Sequence, residues 1–487
     1  MNAYLSVDLG TTGCRSSVFD ENLNVLAYDY EEYGLITPKA NYVEQDALKW
    51  WELTVKTAQT AVEKSGVSKC IRSISISSQG ITVVPVDENL VPLSNALSWL
   101  DTRATEETNQ IRKDFGDEEI LSLTGKRIDA AYTLPKLLWM KKHMNEIFEK
   151  AHKFLLPMDF LIGKLTGNCV TDPTMASGTL MYDLDKGCWC KEILDKYSIS
   201  EKKLPTVLYA GEKAGNILPE VAEKIGINKE CIVAVGAQDQ KCAAYAAGLD
   251  EKTVTVSLGT AAAITKIYEK GISDSLCCLG RCPYTEKDIF ISESVINTAG
   301  TCLRWLRDTM FVSENYSVID KEAEKAMEKE SGILFFPYMN GCAAPLYNPE
   351  STGCFYGVNL STKRGDFALA VMEGIAFQIR SLLESVGGYE NLSTLVLFGG
   401  GANGELWPSV IASVTGLTVK IPESIQTASE GAAMLAAKAL GADVMKIKYE
   451  REYVPDEKTK RYDLKYQKYK KTENALWGKE VETCDSN

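Results

Sequence analysis

The sequence predicts an α/β protein of two domains, each built around a central mixed sheet. Three observations support this prediction. The chain has 487 residues, which is too many for one hydrophobic core. Segments typical of strands alternate with periodic segments typical of helices. A short hairpin pattern also occurs twice, about half a chain apart, which indicates two domains of similar construction.

The first hairpin lies at residues 3–19, where two strand-like segments flank a polar turn. Thr11 and Thr12 offer hydroxyls, Gly13 lets a ligand approach the backbone, and consecutive backbone N–H groups can cradle phosphate oxygens. The GxxxxGK[ST] spacing of a Walker loop is absent, and a strand rather than a helix follows. Taken alone, the pattern is equally typical of an ordinary β-hairpin.

Two charged side chains accompany this turn. Arg15 can present its guanidinium fork to a phosphate group, and Asp8 offers a carboxylate suited to Mg²⁺ bound through water. The turn therefore predicts a site for a nucleotide phosphate chain and its metal.

The second hairpin lies at residues 253–266, and its Ser-Leu-Gly-Thr turn aligns with the Asp-Leu-Gly-Thr turn of the first. Gly259 and Thr260 are the corresponding phosphate-binding candidates. Two hairpins that serve one phosphate chain are the arrangement of actin-like ATPases and sugar kinases. We therefore expect two domains with the ligands in a cleft between them.

Composition excludes several classes of function. The net charge of -13 argues against a nucleic-acid surface, and no apolar run approaches the roughly 18 residues of a membrane span. No signal-peptide pattern opens the chain. The 14 cysteines lack zinc spacing and are interpreted as reduced thiols of a cytoplasmic protein. Only two histidines are present, so a Ser-His-Asp hydrolase is close to excluded.

The remaining elements follow in order along the chain. The predicted helices begin near residues 46, 98, 133, 241, 368 and 430, and the predicted strands lie at 71–77, 82–87, 232–235 and 395–398. The polar stretch after residue 248 marks a domain boundary. We expect an N-terminal domain at 1–248, a nucleotide-binding C-terminal domain at 249–445, and a charged, tyrosine-rich helical tail at 446–487.

Asp239 is the strongest candidate for a catalytic residue. It follows a buried strand, at the carboxyl end where α/β sheets place their ligands. A carboxylate there can accept the proton of a hydroxyl that attacks phosphorus. The alternative is that Asp239 only caps the helix that begins near Gln240.

The segment 399–404, GGGANG, supports two interpretations. It matches the GxGxxG pattern after a strand, with Glu423 at the distance expected for a ribose contact, as in a dinucleotide-binding dehydrogenase. Too little chain follows for the second half of such a domain. Alternatively, Gly400 and Gly401 admit an adenosine group to a helix N-terminus, with Asn403 donating.

Together these motifs resemble the FGGY family of carbohydrate kinases over essentially the whole chain. The resemblance implies two actin-like, ribonuclease H-like domains and a reaction that uses ATP and Mg²⁺. It assigns Asp239 as the base and the segment at 399–403 as the adenosine motif. Gly300, in the sequence NTAGTCLRWLRD, matches a glycine that lines the nucleotide site.

The substrate residues resemble two branches of the family. Segments 133–139 and 176–180 are similar to xylulokinases, whereas Trp99 and the pair Asp239 and Gln240 are equally similar to glycerol kinases. Gly80 and Ile81 replace the Arg-Glu of glycerol kinases and the Met-His of xylulokinases. Cys342-Ala343-Ala344 stands where a charged pair often precedes proline.

We expect a hydrogen-bonded sugar site, because a polyol carries no charge. Its residues are Gln79, Trp99, Asp101, Arg103, Asp239 and Gln240. For Asp101 and Arg103, a surface helix start with a mutual ion pair is the alternative.

The expected function is transfer of the γ-phosphate of ATP to a primary hydroxyl of a xylulose-like ketose. A glycerol or other polyol kinase is the nearest alternative, and an NAD-dependent dehydrogenase is the alternative of another class. A non-catalytic sugar sensor is disfavoured by intact Asp8, Thr12 and Asp239. The partners are small molecules, with no nucleic acid or membrane, and a homodimer is one arrangement that the sequence allows.

Overall fold

The computed structural model describes residues 2–268, 280–329, 331–423, 426–442 and 447–478. The described residues form two compact units. The first consists of Met1–Gly248, Gly280–Ile291 and Gln426–Ile447, and the second of Leu249–Leu279, Ser292–Ile425 and Lys448–Asn487, taking the described residues of each range. No helix in these described ranges combines the length and the apolar character that a membrane span requires.

A mixed sheet forms the centre of the first unit. Parallel pairings in the middle of the sheet are flanked by two antiparallel pairings at one side and by one at the other. Its strands, in spatial order, are Lys213–Asn216, Ile232–Ala234, Ile71–Ser78, Ala3–Leu9, Gly13–Phe19 and Val25–Glu32, and Ala237–Gln238 also pairs with Ile71–Ser78.

Helices cover both faces of this sheet. Ser16 shares a hydrogen bond with helix Ala47–Ser65, whereas the adjacent Ser17 donates to Gln426, just before helix Thr427–Lys438. Because successive strand residues point to opposite faces, the two helices lie on opposite sides of the sheet.

The other elements of the first unit surround this core. Its further α-helices are Thr105–Asp114, Asp117–Thr124, Thr133–His143, Asn145–Lys150, Pro157–Thr166, Pro173–Ser177, Lys191–Tyr197, Pro219–Ile225 and Asp239–Ala246. Its short strands are Glu44–Gln45, Val84–Val86, Ala96–Leu97, Lys153–Leu155, Val170–Thr171, Tyr182–Asp183, Cys188–Trp189, Thr206–Val207 and Gly280–Pro283.

Helix Thr427–Lys438 belongs to the first unit, although the sequence analysis assigned 249–445 to the second domain. It packs on helix Asp239–Ala246. The two helices are so close that a Cβ at Gly431 would overlap the carbonyl group of Cys242. Small residues allow this approach but do not specify a partner, so the sequence pattern alone does not assign the helix to a unit.

The second unit repeats the architecture with its own sheet and core. The strands, in spatial order, are Phe290–Ile296, Ala262–Ile267, Thr253–Leu258, Thr394–Phe398, Thr418–Pro422 and Tyr449–Tyr453. A two-stranded ribbon pairs Leu334–Phe336 with Cys354–Tyr356. The α-helices are Gly300–Met310, Tyr316–Glu328, Arg364–Val386, Leu406–Thr415 and Thr459–Trp477.

The segment after residue 446 differs from the expected surface helix. It first forms a strand that pairs with Thr418–Pro422, and only then the helix Thr459–Trp477. Tyr462, Tyr466 and Tyr469 are buried on this helix. Their spacing places them on one face, so the helix contributes an aromatic stripe to the core despite its charged composition.

Candidate active site

Three strand ends meet at one edge of the first sheet. Asp8 pairs with Ser77 on the neighbouring parallel strand, and Ser77 pairs with Ala237 on the next. Because adjacent strands are spaced by about 4.8 Å, the backbones of Asp8 and Ala237 lie about 10 Å apart. Asp239 follows two residues beyond Ala237, so the sheet brings the two predicted carboxylates to the same edge.

Asp8 is held by the neighbouring strand. Its Oδ1 accepts a hydrogen bond from Ser77 Oγ at 2.9 Å. Burial raises the pKa of Asp8, while the Ser77 hydrogen bond and the positive charge of Arg15 oppose that rise. A desolvated carboxylate of this kind is stabilised by a nearby cation.

Asp8 fits a Mg²⁺ ion that keeps most of its water ligands, rather than one ligated entirely by protein side chains. No group of three or more His, Cys, Asp or Glu side chains in the described part of the chain is arranged to hold a metal ion. Mg²⁺ retains several waters and is usually bound by one or two carboxylates together with substrate phosphates. Asp8 is suited to such a contact.

Asp239 is the first residue of helix Asp239–Ala246, and Gln238 is the capping residue before it. Asp239 Oδ1 accepts from Gln240 N at 2.7 Å and from Gln238 Nε2. Gln238 N donates in turn to Thr174 Oγ1 at 2.9 Å. The carboxylate is thus oriented by the start of its own helix.

The turn of the first hairpin, residues 8–13, is called the first phosphate turn. It is hydrogen-bonded to Trp99, which is predicted to contact the sugar. Trp99 Nε1 donates to Thr11 Oγ1 at 2.9 Å, while the indole keeps an exposed fraction of 39%. Trp99 therefore lies at the phosphate turn, with part of its ring available to a ligand.

Arg15 lies on the first sheet beside two aromatic rings. Its guanidinium carbon is 5.3 Å from the ring centroids of both Tyr28 and Tyr30. Tyr30 also covers the turn, since a Cβ at Gly13 would overlap its phenol group. These rings orient Arg15 by cation–π attraction, and a side chain at residue 13 would have to displace the Tyr30 phenol.

Gln79 is buried, and its amide group is already hydrogen-bonded. Its Nε2 donates to Gln45 Oε1 at 2.9 Å, and its Oε1 accepts from Thr82 Oγ1 at 3.4 Å. Gln45 Nε2 then donates to the Thr11 carbonyl at 2.7 Å. Gln79 thus connects to the phosphate turn through Gln45, a residue that the sequence analysis missed.

Asp101 and Arg103 form the ion pair that was the structural alternative in the sequence analysis. Arg103 Nη2 lies 2.7 Å from Asp101 Oδ2 and 2.8 Å from Glu44 Oε1. Its guanidinium carbon stands 3.8 Å from the ring centroid of Tyr42. Asp101 also accepts from Val43 N at 2.6 Å. The helix itself begins later, at Thr105, because these bonds hold the preceding residues in a turn.

Lys136 is a buried cation beside this pair that the sequence analysis did not select. Burial lowers the pKa of Lys136 to about 7, although the negative charges of Asp101 and Asp129 oppose the shift. Its Nζ donates to the carbonyl of Ala131. A lysine three residues into a helix gives no sequence signal that it will be buried.

The corresponding turn of the second unit, residues 257–260, is called the second phosphate turn. It is held by the start of a helix. Gly300 N donates to the Gly259 carbonyl at 2.9 Å, and Ala299 N and Thr301 N donate to the Thr260 carbonyl at 3.0 and 3.2 Å. A Cβ at Gly300 would overlap the Gly259 carbonyl. Gly300 is therefore glycine because the helix start packs directly on the turn.

The glycine-rich segment begins at the same edge of the second sheet, because Ser257 pairs with Phe398. A Cβ at Gly401 would overlap the side chain of Leu258, whereas a Cβ at Gly400 would meet no protein atom within 4 Å. Gly400 is thus the glycine of this segment that faces open space. Asn403 follows it in an exposed position.

Arg451, which the sequence analysis did not select, donates hydrogen bonds to the backbone of the same segment. Arg451 Nη2 donates to the Ala402 carbonyl at 2.8 Å, and its Nη1 donates to the Gly404 carbonyl at 3.1 Å. Its strand lies in the part of the chain expected to be a surface tail. A short 3-10 turn, Gly400–Ala402, precedes the helix Leu406–Thr415. This differs from the glycine turn that leads directly into a helix in dinucleotide-binding domains.

Comparisons with known proteins identify the family of this chain. Residues 3–246 match the N-terminal domain of the FGGY family of carbohydrate kinases, and residues 277–440 match its C-terminal domain. The chain is 31% identical to a xylulose kinase of Bacillus subtilis over 446 residues, which cover 91% of this chain and 89% of the relative. It is 29% identical to a gluconokinase of Bacillus subtilis over 457 residues, covering 91% and 88%.

The fold is shared with solved structures. A ligand-bound xylulose kinase from Lactobacillus acidophilus matches with a TM-score of 0.89 at 24% identity, covering 98% of this chain and 100% of that one. Two sheet-containing units of the actin-like type are therefore confirmed, and the dehydrogenase alternative has no support. The chain belongs to the FGGY family of carbohydrate kinases and is a phosphotransferase.

Proposed function

We propose that this protein transfers the γ-phosphoryl group of ATP to a primary hydroxyl of a small, uncharged ketose or polyol, with a xylulose-like ketose as the preferred acceptor. The observation that carries the proposal is the placement of Asp239 at the same sheet edge as Asp8 and the first phosphate turn. A general base and a phosphate site at the same end of a sheet are the groups that phosphoryl transfer requires.

Asp239 is the proposed general base. Its carboxylate, oriented by Gln240 N and the Gln238 side chain, accepts the proton of the attacking hydroxyl. Such a base contributes about 10²–10⁴ in rate. Gln240, the next residue, is the proposed hydrogen-bond partner of a neighbouring hydroxyl of the acceptor.

The remaining groups hold the phosphate chain. In the first unit these are Thr11, Thr12, Gly13 and Arg15, and Asp8 would hold Mg²⁺ through water. In the second unit they are Gly259, Thr260, Gly300, Gly400, Gly401 and Asn403. Mg²⁺, when bound, neutralises negative charge on the phosphate oxygens.

Charge in the predicted sugar site favours an uncharged acceptor. Arg103 is paired with two carboxylates, those of Asp101 and Glu44. Burial lowers the pKa of Lys136 to about 7, which leaves this amine only partly charged at neutral pH. An aldonate such as gluconate would require a cation in excess, so the paired charges favour a neutral sugar.

The segment at Gly80 and Ile81 differs from that of glycerol kinases. Gly80 and Ile81 occupy the position where glycerol kinases carry two charged side chains. Ile81 has a φ of 70° and its carbonyl accepts from Thr133 Oγ1 at 2.9 Å. The Ile81 carbonyl is therefore fixed by helix Thr133–His143, the segment that resembles xylulokinases.

A coupled ADP-release assay with a panel of acceptors tests the proposal. The panel contains xylulose, ribulose, glycerol, xylitol and gluconate at equal concentrations, with a no-acceptor control for ATP hydrolysis. We expect the highest kcat/KM with a pentulose. Turnover restricted to gluconate would contradict the charge argument, and no turnover above the control with any of the five would contradict the proposed acceptor class.

A further inference from the structure

The carbonyl groups of the first phosphate turn are held by two buried side chains. Tyr33 Oη donates to the Gly10 carbonyl, Gln45 Nε2 donates to the Thr11 carbonyl at 2.7 Å, and Tyr33 N donates to the Thr12 carbonyl at 2.9 Å. Three successive carbonyls therefore point towards Tyr33 and Gln45.

In a trans peptide, the C=O of one residue and the N–H of the next point in opposite directions. Holding the Gly10 and Thr11 carbonyls thus directs the N–H groups of Thr11 and Thr12 away from Tyr33 and Gln45. Within the described ranges of the chain, neither N–H donates to a protein acceptor. Two adjacent N–H groups that point the same way form an anion-binding concavity.

We propose that Tyr33 and Gln45 are positioning residues for phosphoryl transfer: they fix the first phosphate turn so that the N–H groups of Thr11 and Thr12 face the nucleotide's phosphate chain. The inference rests on the proposed function, because that function supplies the phosphate ligand. Neither side chain contacts the phosphate in this arrangement. Each acts through the peptide plane that it holds.

The donor groups of both residues are determined by their surroundings. The Thr11 carbonyl can only accept, so Gln45 must turn its amide nitrogen towards it and its oxygen towards Gln79 Nε2, 2.9 Å away. Burial raises the pKa of Tyr33, so its hydroxyl keeps its proton and donates at neutral pH. The Gln45 side chain is fully buried, and Tyr33 is exposed by only 8%.

The same hydrogen bonds join the turn to residues predicted to contact the sugar. Gln45 accepts from Gln79, and Trp99 donates to the Thr11 hydroxyl. A sugar that orders Gln79 or Trp99 would therefore order the phosphate turn as well.

The experiment compares Tyr33→Phe and Gln45→Met with the wild-type protein. Each variant keeps the approximate side-chain volume and loses one donor to the turn. Tyr197→Phe is the matched control, because its hydroxyl donates to Asp114 at 3.1 Å in the same unit and makes no contact with the turn. Binding of Mg·AMP-PNP and of AMP is measured by calorimetry, together with kcat and both KM values.

We expect each variant to bind Mg·AMP-PNP about tenfold more weakly and to lose about tenfold in kcat, because a hydrogen bond to a charged group is lost or misaligned. AMP affinity should stay within about twofold, since AMP lacks the β- and γ-phosphates. The Tyr197→Phe control should match the wild type. Equal losses for AMP and AMP-PNP, or for the control, would overturn the positioning role and indicate general destabilisation.

Crystal structures of the ligand-free variants provide a readout that does not depend on activity. We expect the Gly10–Thr11 peptide plane to rotate in Tyr33→Phe and the Thr11–Thr12 plane in Gln45→Met. Unchanged planes in both variants would overturn the inference even if the wild type is an active kinase. If the wild type neither binds AMP-PNP nor turns over any sugar, the proposed function fails, while the peptide planes still decide whether Tyr33 and Gln45 hold the turn.

Discussion

The two phosphate turns share a sequence pattern, but different groups hold them in place. The first turn is held mainly by side chains from distant segments: Tyr33, Gln45 and Trp99. The second is held by backbone N–H groups at the start of helix Gly300–Met310. Side-chain donors can be removed singly by substitution, whereas backbone donors can be displaced only by moving the helix. The two turns should therefore respond differently to mutation.

The prediction with the largest expected effect tests whether the general base lies in the first unit, which also contains the first phosphate turn. Asp239→Asn removes the proposed base and should lower kcat by about two to four orders of magnitude, because proton acceptance is lost. ADP-release kinetics and calorimetry with Mg·ADP provide the measurements. Nucleotide affinity should stay within about threefold. Near wild-type turnover in the folded variant would show that Asp239 only supports its helix.

The second prediction displaces the helix that holds the second turn. Gly300→Val places a side chain against the Gly259 carbonyl, so the helix start must move and the turn loses its backbone donors. We expect kcat/KM for ATP to fall roughly 10- to 100-fold, because the displaced turn would misalign its own hydrogen bonds to the charged phosphate chain. Gly332→Val is the control, because a Cβ at Gly332 meets no atom within 4 Å. If both variants behave alike, the helix start is not the support of the turn.

The third prediction concerns the amide behind the first turn. Gln79→Ala removes the partner of Gln45 Oε1 and should lower kcat/KM for the sugar about tenfold or more. KM for ATP should change by less than about threefold. Steady-state kinetics with both substrates varied separate the two constants. An unchanged sugar constant would remove Gln79 from the sugar site.

The fourth prediction tests the open glycine of the second unit. Gly400→Val leaves the protein packing intact, since a Cβ there meets no atom within 4 Å, but its methyl groups would occupy the path of the nucleotide. KM for ATP should rise about three- to tenfold with little change in kcat. The thermal midpoint without ligand should equal that of the wild type, and its rise with Mg·ADP should be smaller. An undiminished Mg·ADP shift would place the nucleotide elsewhere.

The smallest effect is a pH dependence confined to the first unit. The pKa of Lys136 is lowered to about 7 in the folded protein, against about 10.4 when unfolded. Between these values the unfolded chain binds the extra proton, so stability rises with pH through this window. Lys136→Met removes this contribution to the pH dependence of stability. We expect the wild type to gain about 2 kcal/mol more than the variant in free energy of unfolding between pH 7.5 and 9, as measured by urea titration. Parallel pH profiles would show that Lys136 is charged in the fold.

Local sequence patterns predicted the main elements because helix and strand periodicities depend on near neighbours. The helix expected at 368–385 extends over Arg364–Val386, and the strand expected at 71–77 extends over Ile71–Ser78. The strand expected at 82–87 shortens to Val84–Val86. Element ends differ because caps and turn contacts, not periodicity, decide where an element stops.

The site was predicted in part. The two turns, Asp239 and the glycine-rich segment could be selected as candidates because strand ends and glycine-rich turns mark ligand sites in α/β sheets, and their roles remain predictions. Arg451 and Gln45 were missed, since neither stands in a local motif. The sugar-binding roles of Gln79, Asp101 and Arg103 remain predictions, and in the structure all three bond to other protein groups.

By itself, the sequence determined the class of this protein: the repeated turn, the base after a buried strand and the alternating elements are local patterns that only a few residues specify. The tertiary structure alone decided which groups support them. Gln45 reaches Thr11 from 34 residues away and Arg451 reaches Ala402 from 49 residues away. Such bonds depend on how distant segments pack, because a backbone carbonyl can accept from any donor that the packing brings within hydrogen-bond distance. For that reason, the sequence could suggest the candidate ligand-binding residues, whereas it could not show the residues that hold them.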